Sequence, residues 1–171
     1  SRERSNVTSA YGHETCTIGG TGFGVMAIIA GVERHWIERE AGAARIQKIV
    51  DFLFKAPNYH GAFPHWMDGE TGKTIPFSRK DDGGDLVETS YLFQGLLCAR
   101  AYFTQNNPVE NDLRQKITWL WDELEFEWYT RGTSNQLYWH WSPNQGWAMN
   151  FEMRGWNETL ITYILGASSN R

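Results

Sequence analysis

The chain has 171 residues, a length that fits one domain with enough buried surface for a stable core. It is 41% apolar and 21% charged, the composition of an ordinary globular domain, with a net charge of −4 at pH 7. With no block of basic residues, this charge argues against binding to nucleic acid or to an anionic membrane surface. No apolar run is long enough to span a membrane, and no signal peptide is present.

Apolar residues recur at helical spacing through most of the chain, which predicts an all-α fold. Residues 85–104 are apolar nearly all round, so this helix should be surrounded by other protein, whereas 111–129 is amphipathic, with Asn111 and Asp112 as possible caps. The sequence predicts five helices: one ending near Arg34, and others over 38–55, 85–104, 111–129 and 156–168.

Two long loops, 57–83 and 130–154, separate these helices, and Asp68–Gly72 predicts a short β-hairpin in the first. The loops carry matching segments, 62–66 and 137–141, in which an aromatic residue is followed two places on by His-Trp. A Glu-Thr pair follows each, at 88–89 and 158–159. Such self-similarity predicts repeated units, each with an inner helix, an outer helix and an aromatic loop, that together form an arc.

Aromatic residues are abundant, with 9 Trp, 7 Tyr and 9 Phe, and six of them crowd the stretch from Tyr138 to Trp156. Trp and Tyr offer flat apolar faces on which sugar rings stack. Polar partners for sugar hydroxyls lie among them, including His140 and Asn157. Any single indole serves as core packing about as readily, but the cluster as a whole favours a carbohydrate cleft.

Acidic residues are densest just before and within the helix at 85–104. Asp85 and Glu88 are three residues apart at its start and therefore share one face, with Asp81 or Asp82 just before it. Helix capping is the alternative explanation, and it accounts poorly for Glu88, because the rest of that helix is apolar.

Glu158 is expected in the first turn of the final helix, at the same height as Glu88 and facing the same cleft. Two carboxylates across a cleft are what glycoside hydrolysis requires. A helix start lowers a carboxyl pKa, whereas a general acid needs a raised one. Desolvation by Trp66, Trp141 and Trp156 would reverse that effect.

Other motifs are weaker. The run Gly19–Gly24 resembles a nucleotide loop, but no strand precedes it, and close helix packing explains it better. Cys16 and Cys98 lack a spacing motif and are interpreted as two buried free thiols. Four histidines with acids nearby lack the spacing of a helical metal site, so no metal and no other cofactor is predicted. These are His13, His60, His65 and His140.

At several places the sequence resembles the bacterial glycoamylase-like family, which includes endo-β-1,2-glucanases. The resemblance runs through essentially the whole chain, and the block Asp82–Thr89 is highly specific. The other matching segments are Thr21–Ala27, Glu33–Arg34, Gly61–Gly69, Lys73–Thr89 and Gly155–Glu158.

The resemblance implies an (α/α)6 toroid and inverting hydrolysis of β-1,2-glucan in exported or periplasmic proteins. By motif, Glu158 is similar to the family's general acid, and Asp81, Asp85 and Glu88 resemble acids lining its cleft. The substrate, an oligo- or polysaccharide, is expected to contact Trp66, His65, Trp141, His140, Trp147, Asn157, Trp156 and Arg79.

Family members are more than twice as long as residues 1–171. The chain is therefore expected to be part of one toroidal catalytic domain, without its first helix, its second half and the catalytic base, and to be inactive alone. The missing half or another chain should cover apolar residues that the open edges expose.

Two alternatives stay open. A non-catalytic carbohydrate-binding module would keep the aromatic cleft without a working acid pair. A polysaccharide lyase on a similar toroid would need basic residues against a uronate. The acids at 81, 85, 88 and 158, set against Arg79 and Lys80, favour the hydrolase.

Overall fold

The structure is a computed structural model that describes residues 14–133 and 135–170, so that His13 lies outside the described residues. The described residues form five α-helices: α1 (Ile18–Glu33), α2 (Arg39–Leu53), α3 (Leu86–Tyr102), α4 (Pro108–Asp122) and α5 (Leu160–Ser168). Five short strands accompany them: β1 (Thr15–Thr17), β2 (Trp66–Asp68), β3 (Thr74–Ile75), β4 (Gly84–Asp85) and β5 (His140–Trp141). A 3₁₀ turn lies at Trp128–Thr130.

The helices form two layers of α/α hairpins. α3 lies between α1 and α5 in the inner layer, and α2 packs against α4 in the outer layer. The inner helices begin at the same end of the molecule: the Gly19 amide of α1 donates to Glu88 of α3, and the Tyr91 hydroxyl donates to the Glu158 carbonyl just before α5. The predicted alternation of inner and outer helices is confirmed.

α1 and α3 cross with their backbones in contact. A Cβ added to Gly22 would lie 2.0 Å from the Tyr91 carbonyl oxygen, and one added to Gly95 would lie 2.2 Å from that of Gly22. Leu92 and Leu96 on α3 are fully buried, as the all-round apolar pattern predicts. Contrary to the prediction, strand β1 does precede the glycine-rich run, but the contact between the two backbones shows that Gly22 in this run serves helix packing.

The bounds of α4 differ from the prediction. Asn107 is the N-cap and accepts a hydrogen bond from the Glu110 amide, while Pro108 occupies the first turn. Proline suits that position because its missing N–H would have no partner in the helix. Asn111 and Asp112 therefore lie inside the helix, and α4 ends at Asp122, short of the predicted residue 129.

A nearly buried ion pair joins the outer helices. Arg39 at the start of α2 makes two hydrogen bonds to the Glu110 carboxylate, of 2.8 and 2.9 Å, and the Gln105 amide adds a third. Burial would raise the pKa of Glu110, but the hydrogen bonds from Arg39 and Gln105 outweigh it and lower that pKa.

Glu110→Gln should lower the free energy of unfolding by about 2–4 kcal/mol at pH 7, because it leaves the Arg39 charge without its partner. The folded-state pKa of Glu110 is lowered, so this stabilisation is complete above about pH 4.5 and disappears as the pH falls through the folded value. Urea denaturation of the intact protein at several pH values measures it. The exposed Glu70→Gln is the control, and an equal, pH-independent loss in both variants would contradict the assignment.

The short strands belong to two sheets. β2 and β3 form the predicted hairpin around Asp68–Gly72, and β1 adds a third antiparallel strand that three residues are too short to predict. β4 pairs with β5. Both cysteines are free, but Cys98 is exposed, so its prediction as a buried thiol is wrong, because it faces outward from α3. None of the described helices has the length and apolarity to cross a membrane.

Candidate active site

The β4–β5 pair brings the acidic block and the second aromatic loop together. Asp85 lies opposite His140 in this pairing. Next to it, the Asp85 amide donates to the Phe63 carbonyl and the Leu86 amide donates to the Trp139 carbonyl. The start of α3 is thus held between the two matching segments, 62–66 and 137–141, which places a histidine from each beside the same carboxylate.

Asp85 is fully buried, and its hydrogen bonds fix the orientation of its carboxylate. Its Oδ1 accepts hydrogen bonds from the amides of Val87 and Glu88, so it is the N-cap of α3. Its Oδ2 lies 2.9 Å from His65 Nδ1. Burial alone would lower the pKa of His65, but the hydrogen bond to Asp85 and its charge outweigh this and raise that pKa.

Asp81 and His140 complete the cluster. Asp81 is buried, and its Oδ2 lies 3.2 Å from His140 Nδ1, which in turn lies 3.8 Å from Asp85 Oδ2. Asp82 instead points toward the second loop, where it accepts hydrogen bonds from Ser142 and Asn144. Asp82 therefore joins two loops, while Asp81 and Asp85 share one buried space.

Glu88 lies one turn into α3 and is half-buried. Its Oε2 accepts a 2.8 Å hydrogen bond from the Gly19 amide at the start of α1. Desolvation, and then the charge of Asp85, raise the pKa of the Glu88 carboxyl, against the opposing effects of His65 and the Gly19 amide. A raised pKa keeps a carboxyl protonated nearer to neutral pH, which is what a proton donor needs.

Glu158 and its neighbours do not lie in the first turn of α5, and that prediction is wrong. The Asn157 side chain accepts hydrogen bonds from the amide and hydroxyl of Thr159, a local turn that competes with the helix, and α5 begins only at Leu160. Glu158 and Asn157 are exposed, and Trp156 is 86% exposed, so it desolvates nothing here. Arg79 is also exposed, in the turn from Ser78 to Asp81.

The indoles divide between two places. Trp66 is half-buried beside the carboxylate cluster, where it packs edge-to-face on Phe77, which also contacts His65. Trp141 lies next to His140 on β5, and successive side chains of a strand point to opposite faces. It consequently packs against His60 and Trp128, away from Asp85.

Trp147 also lies with Trp128, and Arg131 lies over its ring. We call Trp128, Trp141 and Trp147 the indole cluster. Trp141 and Trp147 thus pack with Trp128 rather than with the acids, a separation that the period-2 alternation of strand β5 could have indicated, and their role in stacking sugar rings stays a prediction. A groove of about 780 Å³ lies beside this cluster, lined by Glu125, Glu127, Trp128, Arg131, Gly132, Trp147 and Asn170.

Trp141→Ala should lower the free energy of unfolding of the intact protein by about 2–3 kcal/mol, because the half-buried indole packs against three aromatic side chains. Trp156→Ala, at the exposed indole, should change it by less than about 0.5 kcal/mol. Chemical denaturation of both variants gives the comparison. If the two variants are equally stable, the Trp141 indole is exposed to solvent rather than packed against its neighbours.

Fold and site together define a class of protein: a double layer of α/α hairpins that presents carboxylates, imidazoles and indoles where its inner helices begin. No family model matches the chain. It is 53% identical to an endo-β-1,2-glucanase from Chitinophaga pinensis solved with sophorotriose and glucose, with a TM-score of 0.94 over 99% of this chain and 40% of that one. A β-1,2-glucanase from Parabacteroides distasonis is 54% identical, with a TM-score of 0.87 over 89% of this chain and 22% of that one.

A curated relative, the exo β-1,2-glucooligosaccharide sophorohydrolase (non-reducing end) of Parabacteroides distasonis, is 56% identical over 149 residues, which are 86% of this chain and 21% of the relative. The resemblance to the glycoamylase-like family, with its endo-β-1,2-glucanases, is thereby confirmed. The chain spans about two fifths or less of the length of these relatives.

Proposed function

We propose that the intact protein hydrolyses β-1,2-glucan with inversion at the anomeric carbon. The observation that carries this proposal is the convergence of Asp81, Asp85 and Glu88, with Glu158 adjacent, where the inner helices begin. The sophorohydrolase and the endo-β-1,2-glucanase described above are named for action on β-1,2-linked glucans, and each is more than half identical to this chain over the matched residues.

Glu158 is the proposed general acid. Its backbone carbonyl accepts the Tyr91 hydroxyl at 2.8 Å, and its charge contributes to the raised pKa of Glu88, so the two carboxyls share one region. In the reaction, the acid gives its proton to the glycosidic oxygen as the bond to the anomeric carbon breaks. A base outside residues 1–171 takes a proton from the attacking water on the opposite face.

Substrate positioning is assigned to the residues beside the carboxylates. His65 is held through Nδ1 by the Asp85 carboxylate, which fixes the direction of its ring, and His140 lies 3.8 Å from the same carboxylate. Trp66 and Phe77 supply an apolar face next to His65 on which a sugar ring can stack. Trp147, Trp156, Asn157 and Arg79 are kept as candidates for contacts farther along a glucan chain.

The rest of the intact protein is proposed to cover the exposed apolar residues on and before α5 and to complete the toroid. Phe151 is 51% exposed, Trp156 86% and Ile164 52%, and burial of these side chains by the rest of the protein would be favourable. The protein is proposed to act in the periplasm or outside the cell, which agrees with a polymeric substrate.

Incubation of the intact protein with a panel of glucans tests this function. We expect β-1,2-glucan to yield short oligosaccharides, β-1,3-, β-1,4- and α-1,4-glucans to stay intact, and the first product seen by proton NMR to carry the α-anomer. Release of the β-anomer would overturn the inverting mechanism. Binding of β-1,2-glucan without products would favour the alternative, a carbohydrate-binding module.

A further inference from the structure

Asp81 and His140 each have a buried polar atom that makes no hydrogen bond within the described residues. Asp81 Oδ2 and His140 Nδ1 are both buried, and within the described part of the chain neither makes a hydrogen bond. They nevertheless face each other at 3.2 Å, and the exposed fraction of the Asp81 side chain is only 2%. A buried carboxylate oxygen without a donor is costly, which indicates a partner that the protein itself does not supply.

The third atom of this group is Asp85 Oδ2, and one ligand atom from each of the three residues lies within 4.8 Å of the others. Bonds of about 2.0–2.2 Å in a tetrahedral zinc site place neighbouring ligand atoms roughly 3.3–3.6 Å apart. The separations from His140 Nδ1, 3.2 Å to Asp81 and 3.8 Å to Asp85, lie on either side of that value. The two separations that involve His140 therefore suit a small ion, while the Asp81–Asp85 separation is at most 4.8 Å.

The surroundings prepare Asp85 as a ligand. Two backbone amides hold its Oδ1, and His65 Nδ1 contacts its Oδ2, so the carboxylate is fixed before any ion arrives. Such outer hydrogen bonds to ligating carboxylates are a regular part of metal sites. Two carboxylates and one imidazole also suit zinc or manganese better than calcium, which prefers oxygen alone.

We propose that Asp81, Asp85 and His140 bind one divalent transition-metal ion, with zinc as the best match. The ligands come from the turn before α3, the N-cap of α3 and strand β5. The ion would consequently tie the acidic block to the second aromatic loop. The absence of a His-x-x-x-His spacing does not exclude such a site, since its ligands come from the paired strands β4 and β5 and from one turn. The proposed ligands also belong to the proposed glucan site, and binding of Zn²⁺ is therefore tested without glucan, so that either proposal can fail without the other.

Titration of the metal alone tests it. The intact protein, stripped with EDTA and dialysed, should bind one equivalent of Zn²⁺ by calorimetry and melt several degrees higher with it. Co²⁺ should give the visible absorption of a bound ion. Asp81→Asn and His140→Gln should each weaken Zn²⁺ binding by about 100-fold or more.

Two matched variants serve as controls. His60→Gln alters a histidine that is also paired through Nδ1 with a carboxylate, that of Glu125, and Asp82→Asn alters the adjacent acid. Both should bind Zn²⁺ like the wild type. Circular dichroism shows whether each variant folds. If Asp81→Asn does not fold, Zn²⁺ binding by His140→Gln and the Co²⁺ spectrum of the wild type still show whether the site binds a metal ion. Failure of the stripped wild type to bind Zn²⁺ at millimolar concentration, or binding that survives loss of His140, would overturn the site.

Discussion

Glu158→Gln should lower kcat of the intact protein on β-1,2-glucan by roughly 10²–10⁴-fold, the contribution typical of general acid catalysis. Glutamine keeps the shape and hydrogen bonding of the side chain but has no proton to give to the leaving oxygen. Affinity for the glucan should change little, because the indoles and imidazoles that hold the sugar are intact. Steady-state kinetics together with calorimetric binding separate the two effects.

Glu70→Gln is the control for this variant, since it changes another exposed glutamate. It should keep full activity. If Glu158→Gln stays within a few-fold of the wild type, Glu158 is a surface carboxylate and the acid has to be sought elsewhere. Glu88 is then the first candidate, because desolvation and the charge of Asp85 raise its pKa.

The helices follow from local patterns, and those patterns are what a sequence shows best. α2 and α3 lie within two residues of their predicted bounds because apolar periodicity and stop signals are encoded next to one another. The two residues of the Asp85–His65 contact were singled out separately, His65 in a segment that recurs in the chain and Asp85 in the acidic block before α3. The acids of the candidate site were therefore visible in the sequence.

The predictions that failed concern places where a local hydrogen bond or strand geometry competes with the pattern read from the sequence. Asn157 bonds to Thr159 and delays the start of α5, which leaves Glu158 outside the helix. On β5, strand alternation separates His140 from Trp141, although the two are adjacent in a run that looks like one sugar platform. Likewise, His140 is far along the chain from Asp81 and Asp85, so no spacing in the sequence could indicate that the three side chains meet.

Gly22→Ala should prevent stable folding or cost at least about 3 kcal/mol, because its methyl group would meet the α3 backbone. The new carbon would lie 2.0 Å from the Tyr91 carbonyl oxygen and 2.7 Å from Leu92 Cα, and no change of side-chain rotamer can relieve contacts with a backbone. To admit it, α1 and α3 would have to separate, which would also pull the Gly19 amide away from Glu88.

Gly24→Ala, two residues farther along the same helix, provides the comparison. A Cβ there meets nothing within 4 Å, so alanine should raise the free energy of unfolding by about 0.5–1 kcal/mol through its better helix propensity. Urea denaturation of both variants of the intact protein should therefore give changes of opposite sign. If Gly22→Ala is as stable as Gly24→Ala, then α1 and α3 do not cross in backbone contact, and the close placement of Glu88 against the start of α1 is lost with that contact.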